Sequence, residues 1–151
     1  MYKWTYSMEL GEITIGASDT AITYLKNFDE YLGDFQETDL IKTAYMQLVD
    51  YLSGKLREFD LPIDPGGTGF QQAIWRETGR VEYGSTITYK ELALRVDRPS
   101  AVRAAGAANG ANPIYIVIPC HRIIGSGGSL TGYGGGLEMK KFLLQHEGVL
   151  K

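Results

Sequence analysis

The chain has one cysteine and two histidines, and the cysteine lies beside one of them. The stretch is I-V-I-P-C-H-R-I-I, residues 116–124, with Cys120, His121 and Arg122 in succession inside a greasy, β-branched run. A thiol attacks only as thiolate, and a neighbouring base or cation brings its pKa down from about 8.5. Without such help a free cysteine is a small inert hydrophobe. Pro119 cannot donate to a strand ladder, so Ile116–Ile118 is expected to be a buried strand ending just before Cys120. That places the thiol at a strand terminus. His121 and Arg122 are costly to bury unpaired in so apolar a setting. Adjacent strand residues point to opposite faces, so His121 serves as a base for Cys120 only if the chain turns there.

A base needs an orienting partner, commonly a carboxylate. L-E-M-K-K-F-L-L-Q-H-E-G-V, residues 137–149, reads as an amphipathic helix stopping at Gly148. It leaves Glu147 in the last turn, where the macrodipole disfavours a carboxylate. An acid so placed is either a solvated surface group or the third member of a Cys–His–Glu set.

Positioning these groups falls to the rest of the second half. Thr68 can cap a helix that carries Phe70, Ala73, Ile74 and Glu77 and stops at Gly79. In T-I-T-Y-K-E-L-A-L-R-V, Thr88 and Glu91 have the spacing of a capping box ahead of Leu92 and Ala93. After V-D-R, Pro99 is expected at the first position of another helix, P-S-A-V-R-A-A-G-A-A-N, ending near Asn109-Gly110. Two short helices joined by a tight turn have the layout of a helix-turn-helix. The second is nearly bare: Ala101, Ala104, Ala105, Gly106, Ala107 and Ala108 leave Arg103 as its only charge. Such a helix can approach a DNA groove closely, or can pack tightly inside the protein with Arg103 reaching outward.

The first half offers sheet and helix but no evident chemistry. Lys3–Met8, Ile13–Ala17 and Ile22–Leu25 alternate with Gly and Asp turns, as in a small antiparallel sheet. Leu40, Ala44, Leu48 and Leu52 follow at helical spacing, between a cap at Thr38 or Asp39 and a stop at Gly54. L-P-I-D-P-G-G-T-G, residues 61–69, reads as a linker, which divides the chain into domains 1–65 and 66–151.

At 151 residues, with 44% hydrophobic and 22% charged residues, the composition is that of an ordinary globule. The N-terminal segment lacks the basic start and apolar core of a signal peptide, and one cysteine excludes an internal disulfide. With two histidines it also leaves too few ligands for a Cys/His zinc site, so no metal and an intracellular setting are expected. The net charge of −3 is divided unevenly. Residues 1–65 carry 5 Lys/Arg against 12 Asp/Glu, net −7, and residues 66–151 carry 10 against 6, net +4. The basic half suits a polyanion, although two unevenly solvated surfaces give the same arithmetic.

Taken together, I-P-C-H-R-I-I, G-Y-G-G-G, the closing H-E-G-V and A-N-P resemble the O6-alkylguanine-DNA alkyltransferases, also called methylated-DNA–protein-cysteine methyltransferases. The likeness runs from about Thr68 to Val149, and the first 60 residues match only in length and element order. It implies an α/β, ribonuclease-H-like N-terminal domain with a small antiparallel sheet. The C-terminal domain would be α-rich and winged-helix-like, with a helix-turn-helix. The implied activity is single-use repair: an O6-alkylguanine, and with it O4-alkylthymine, is flipped from duplex DNA and its alkyl group passes irreversibly to the protein. By motif, Cys120 is the acceptor, His121 deprotonates it through a water, and Glu147 orients His121. Tyr89 donates toward the flipped base, and Asn112 holds the turn beside the site. Arg103 fills the gap in the stack, on a DNA-binding helix with Ser100, Ala101, Ala104 and Gly106, while Val102 has no assigned role. Tyr133, Gly134, Gly135 and Ile123 line the base pocket. Gly134 stands where some members carry serine, so a contact to the base there would come from backbone. No cofactor is implied. Double-stranded DNA is the partner, and the protein is expected to be monomeric and cytoplasmic, on the nucleoid when bound, or nuclear in a eukaryote. Two other readings of the same residues are a non-catalytic binder of alkylated DNA and a Cys–His–Glu thiol hydrolase.

Overall fold

A computed structural model describes residues 1–130 and 132–151, and the chain divides into two compact units. The first comprises Met1–Gly66 with Pro113–Tyr115. Its sheet is built from β1 (Tyr2–Met8), β2 (Gly11–Ala17), β3 (Ile22–Lys26) and β4 (Asp34–Phe35), in the order β3-β2-β1-β4. β1 and β2 form a hairpin in which Trp4 faces Ile15, and β2 pairs antiparallel with β3. Gly11, at φ 95°, supplies the left-handed residue that turn needs. Only β4 runs parallel to its neighbour, β1.

β2 does not alternate between buried and exposed: Ile13, Thr14, Ile15, Gly16 and Ala17 are all buried. The ring of Tyr31 lies so near Gly16 that a Cβ there would come within 2.7 Å of it. Thr14, the one polar side chain of that strand core, shares a hydrogen bond of 2.8 Å with Thr5. Helix α1 (Asp39–Leu52) packs on β2 and β3 and buries Ile41, Ala44, Leu48 and Tyr51, so its apolar stripe is shifted from the Leu40–Leu52 row. Thr38 caps it by accepting from the Ile41 N–H at 3.2 Å, worth about 1 kcal/mol. Pro113–Tyr115 joins this unit because Leu25 N–H donates to Pro113 O and Tyr115 N–H to Leu25 O.

The second unit comprises Gly67–Asn112 and Ile116–Lys151. Helix α2 (Gly69–Gly79) opens with a reciprocal capping box between Thr68 and Gln71. Strand β5 (Ile87–Thr88) leads into α3 (Tyr89–Arg95), where Thr88 accepts from Glu91 N–H. Only that half of the anticipated box forms, because the Glu91 carboxylate turns to Arg95 Nε at 3.5 Å. Helix α4 (Val102–Gly110) starts three residues later than Pro99. Asp97 takes φ 58°, and Ala101 N–H closes a turn onto Arg98 O, which carries Pro99 and Ser100 outside the helix. α2, α3 and α4 pack together, and Trp75 Nε1 donates to Ala108 O at 2.9 Å.

The strand anticipated over Ile116–Ile118 does not form. Ile116 sits at φ 73°, the segment is a turn, and the only strand here, β6 (Ile123–Ile124), follows the cysteine and pairs parallel with β5. Ile116 and Ile118 are buried as the sequence pattern requires, Ile116 in a turn and Ile118 at a single β-bridge. A 3₁₀ turn over Cys120–Arg122 joins that segment to β6, and α5 (Leu137–His146) closes the chain.

Candidate active site

The 3₁₀ turn answers the question of how neighbours could cooperate. Arg122 N–H donates to Pro119 O at 2.9 Å, so successive side chains rotate by about 120° rather than alternating. All three are buried. His121 Nε2 lies 2.8 Å from Glu147 Oε2. Glu147 accepts two further bonds from Arg122, Nε to Oε1 at 2.8 Å and Nη2 to Oε2 at 2.9 Å, and a weaker one from Gly84 N–H at 3.3 Å. The third donor of Arg122, Nη1, goes to Val81 O at 2.8 Å, and the guanidinium carbon lies 5.7 Å from the Tyr83 ring centroid.

Glu147 is the residue that caps α5. The carboxylate that the macrodipole disfavours is therefore held by a bidentate arginine, which outweighs a terminus effect of about 0.3–1 kcal/mol. A carboxylate only accepts, so Nε2 of His121 carries the proton and Nδ1 presents its lone pair. Nδ1 is buried and has no hydrogen-bond partner among the described residues. Burial pushes the His121 pKa down, and the charges of Arg122 and Lys140 push the same way against the pull of Glu147. The imidazole is held neutral.

Asn112, at 0% exposure, donates from Nδ2 to Ile118 O at 2.8 Å and to Cys120 Sγ at 3.1 Å. Burial pushes the Cys120 thiol up to about 11, against the Asn112 bond, the Lys140 charge, its own backbone and the Tyr133 hydroxyl. The resting sulfur is thus a protonated thiol, surrounded by groups that favour its anion once the proton leaves. Lys140 is fully buried on α5 and donates to Ile123 O at 2.7 Å. Its own pKa falls to about 8 through burial, opposed by the sulfur.

Tyr89 opens α3 half-buried, with Lys140 Nζ at 5.8 Å from its ring centroid. Its pKa is raised by burial and by Cys120, and lowered by a hydrogen bond from Asn109. Tyr133 is buried beside Cys120. The fold thus gathers Cys120, His121, Glu147, Asn112, Tyr89 and Tyr133. Ile123 is fully buried in β6, and its backbone carbonyl takes Lys140. Gly134 is exposed and Gly135 half-buried. The residues singled out on α4 lie apart in character. Arg103 and Ala104 are exposed, as is Ser100 ahead of the helix, while Ala101 and Gly106 are half-buried and Ala105, Ala108 and Asn109 turn inward. The helix is both things at once: packed on one side, bare on the other.

Three members were not singled out from the sequence: Lys140, Asn109 and Arg122 as the clamp on Glu147. The first two carry a signal. Lys140 shares a helical stripe with Leu143, Leu144 and Glu147, and Asn109 shares one with Ala105 and Ala108, so both polar groups had to be buried. Among the described residues no three His, Cys, Asp or Glu side chains are grouped to hold a metal.

Comparison with known proteins identifies this arrangement. Residues 69–149 match the family described as 6-O-methylguanine DNA methyltransferase, DNA binding domain, and residues 1–65 match its ribonuclease-like domain. The methylated-DNA–protein-cysteine methyltransferase of Methanosarcina barkeri is 42% identical over 153 residues, covering 97% of each chain. That of Haemophilus influenzae is 40% identical, covering 99% of this chain and 87% of the relative. The crystal structure of Mycobacterium tuberculosis OGT in complex with DNA superposes with a TM-score of 0.90 at 36% identity, covering 99% of this chain and 95% of that one. The chain belongs to the 6-O-methylguanine DNA methyltransferase family.

Proposed function

We propose that this protein repairs DNA by direct reversal, taking the alkyl group of an O6-alkylguanine onto Cys120 in one irreversible turnover. The observation that carries the reading is the chain's only thiol, buried on a turn with a neutral histidine whose partner is a clamped carboxylate. Double-stranded DNA is the substrate, bound through the α3–α4 pair, and the protein acts as a monomer with no cofactor. Among the described residues no helix is long and apolar enough to cross a membrane. We place the protein in the cytoplasm, on DNA.

The base is first extruded from the stack, which costs a few kcal/mol and least at a damaged pair. Arg103, on the exposed side of a helix otherwise bare, takes the vacated space. In the site, the thiol proton passes to His121 Nδ1, directly or through solvent, while Glu147 and Arg122 hold the ring and stabilise the imidazolium. Asn112 Nδ2 and the Lys140 ammonium stabilise the thiolate. The sulfur pair then forms the S–C bond as the C–O6 bond breaks, its electrons moving onto guanine. Tyr89 donates a proton toward the departing base, and the proton released from Cys120 restores the phenol through solvent. The net change is a thioether and an ordinary guanine. A thioether is stable in water, so one chain repairs one lesion. Gly134 and Gly135 with Tyr133 and Ile123 border the base pocket, and O4-alkylthymine fits the same chemistry. The division of labour follows residues 1–65 and 66–151.

The test is an intact-mass measurement after incubation with O6-benzylguanine. One benzyl per chain, lost in Cys120→Ser, is the expected result. No mass change would support a lesion-binding protein, and release of product without an adduct would support a thiol hydrolase.

A further inference from the structure

The clamp that orients His121 has an outer half that the mechanism above does not use. Residues 82–85 form a β-turn, closed by Ser85 N–H on Glu82 O at 3.0 Å. Gly84 stands at its third position with φ 81°, the left-handed conformation that a type II turn needs there. In that conformation Gly84 N–H lies 3.3 Å from Glu147 Oε1, and a Cβ at Gly84 would lie 3.5 Å from Glu147 O. Just before the turn, Val81 O accepts from Arg122 Nη1 at 2.8 Å. One short stretch of chain thus holds both partners of the buried ion pair.

Tyr83 lies between these two contacts and is only half-buried, whereas Arg122, Glu147 and His121 are buried. All three guanidinium nitrogens of Arg122 donate, Nε and Nη2 to Glu147 and Nη1 to Val81 O. The guanidinium carbon stands over the Tyr83 ring, 5.7 Å from its centroid and within range of a cation–π contact. Such a contact strengthens when water is kept from the cation, and Arg122 is 6% exposed. The phenol reaches the other way, donating a weak bond of 3.5 Å to His146 O in the last turn of α5. The next residue is Glu147 itself. Tyr83 therefore touches the cation with its ring and, with its hydroxyl, the helix end that presents the carboxylate.

We propose that Tyr83 is a positioning residue for alkyl transfer: its ring pins the Arg122 guanidinium and keeps water from the ion pair, so that Glu147 stays aimed at His121 Nε2. The inference rests on His121 being the base for Cys120. Tyr83 touches no reacting atom and transfers no proton, and its contribution passes through Arg122 and Glu147. Which imidazole nitrogen carries the proton is set by the bond that nitrogen makes. A fixed carboxylate therefore keeps the proton on Nε2 and the Nδ1 lone pair in one orientation. A loosened, hydrated carboxylate lets the ring turn, and the thiol loses its acceptor for part of the time.

The experiment compares wild type, Tyr83→Leu, Tyr83→Phe, Arg122→Met and the double variant Tyr83→Leu with Arg122→Met. Single-turnover reaction with O6-benzylguanine is measured with binding and alkylation resolved, and the His121 Nε2 proton is followed by heteronuclear NMR. Tyr83→Leu is expected to slow alkylation about five-fold with binding unchanged, and to speed exchange of the Nε2 proton with water. Tyr83→Phe keeps the ring and loses only the weak bond, so it should recover most of both. Arg122→Met leaves no cation for the ring, and in that background Tyr83→Leu should add no further slowing. Equal slowing by Tyr83→Leu with and without Arg122 means that the ring merely packs, and overturns the inference. If Arg122→Met does not fold, proton exchange in Tyr83→Leu decides, and an unchanged exchange rate overturns it. Failure of the underlying reading looks different. If His121→Gln reacts at the parental rate, His121 is not the base and the inference falls with it; if His121→Gln is inactive while Tyr83→Leu keeps the parental rate, only the role of Tyr83 falls.

Discussion

The two units bury very different things. Among the described residues, the buried side chains of the N-terminal unit are Ile13, Ile15, Ile22, Leu25, Ile41, Leu48 and their like, with Thr14 the one buried residue that is neither apolar nor aromatic. The C-terminal unit buries Thr78, Asn109, Asn112, His121, Arg122, Lys140 and Glu147. An apolar core of the first kind is a source of stability, at about 25 cal/mol per Å² removed from water. A core holding two cations, a carboxylate and a neutral histidine gains little net stability, because desolvation offsets the Coulomb attraction. The difference points to the C-terminal unit as the seat of the proposed chemistry, where the one thiol is buried and accepts a hydrogen bond from Asn112.

Breaking that interior should give the largest effects. Glu147→Ala leaves Arg122 buried without its carboxylate and should cost about 3–5 kcal/mol in urea unfolding of the C-terminal unit, together with the reaction with O6-benzylguanine. The sharper version adds Arg122→Met to Glu147→Ala. Replacing both charges by apolar groups should recover much of the stability but none of the transfer rate. Recovery of both would show that the pair serves packing alone.

In the N-terminal unit the opposite pattern is expected. Leu48→Ala removes methyl groups from a fully buried site on α1 and should lower stability by about 2–5 kcal/mol. The rate of the folded protein with O6-benzylguanine should stay within about two-fold, since no reacting group is touched.

On the exposed side of α4 stability should hardly change. Arg103→Ala is expected to slow repair of alkylated duplex about ten-fold or more, while free O6-benzylguanine, which needs no flipping, reacts at the parental rate. Equal slowing on the two substrates removes Arg103 from the stack. A uniform loss of affinity for damaged and undamaged DNA, with the salt slope reduced by about one, makes it a phosphate contact instead.

The smallest effect is in pH. The His121 pKa is lowered by burial, so below the ordinary histidine value the unfolded chain binds a proton that the folded chain does not. Stability should therefore fall as pH drops below about 6.5, by at most about 1.4 kcal/mol per pH unit from this group. His121→Gln should flatten that part of the curve, measured as the urea midpoint against pH. An unchanged slope would mean that the imidazole binds its proton equally well in the folded and unfolded chain.

The same contrast governs how much was legible in the sequence. Sheet strands and α1 were readable because strand-like runs between Gly and Asp turns and helical spacing mark the elements, although β2 is buried on both faces and the α1 stripe is shifted, and Thr38, Thr68 and Thr88 marked helix starts through their hydroxyls. Cys120, His121 and Glu147 were readable as chemistry by residue type. The 3₁₀ turn that carries Cys120 and His121 was not, since Ile116–Ile118 has a strand's composition while Ile116 adopts φ 73°. Pro99 was misread as a helix start because the left-handed Asp97 and the Arg98–Ala101 turn depend on how α3 and α4 pack. For Lys140 and Asn109 the stripe announces burial but not the partners, which are the carbonyls of Ile123 and Cys120.

The central claim is that Cys120 accepts one alkyl group per chain and is then spent. A duplex carrying a single O6-methylguanine, titrated with protein at fixed DNA, tests it most directly when repaired lesions are counted and digested protein is weighed. The account predicts that repaired lesions equal protein molecules at every ratio, with methyl found only on the peptide containing Cys120. More lesions repaired than chains present, or methyl on another peptide, would contradict it.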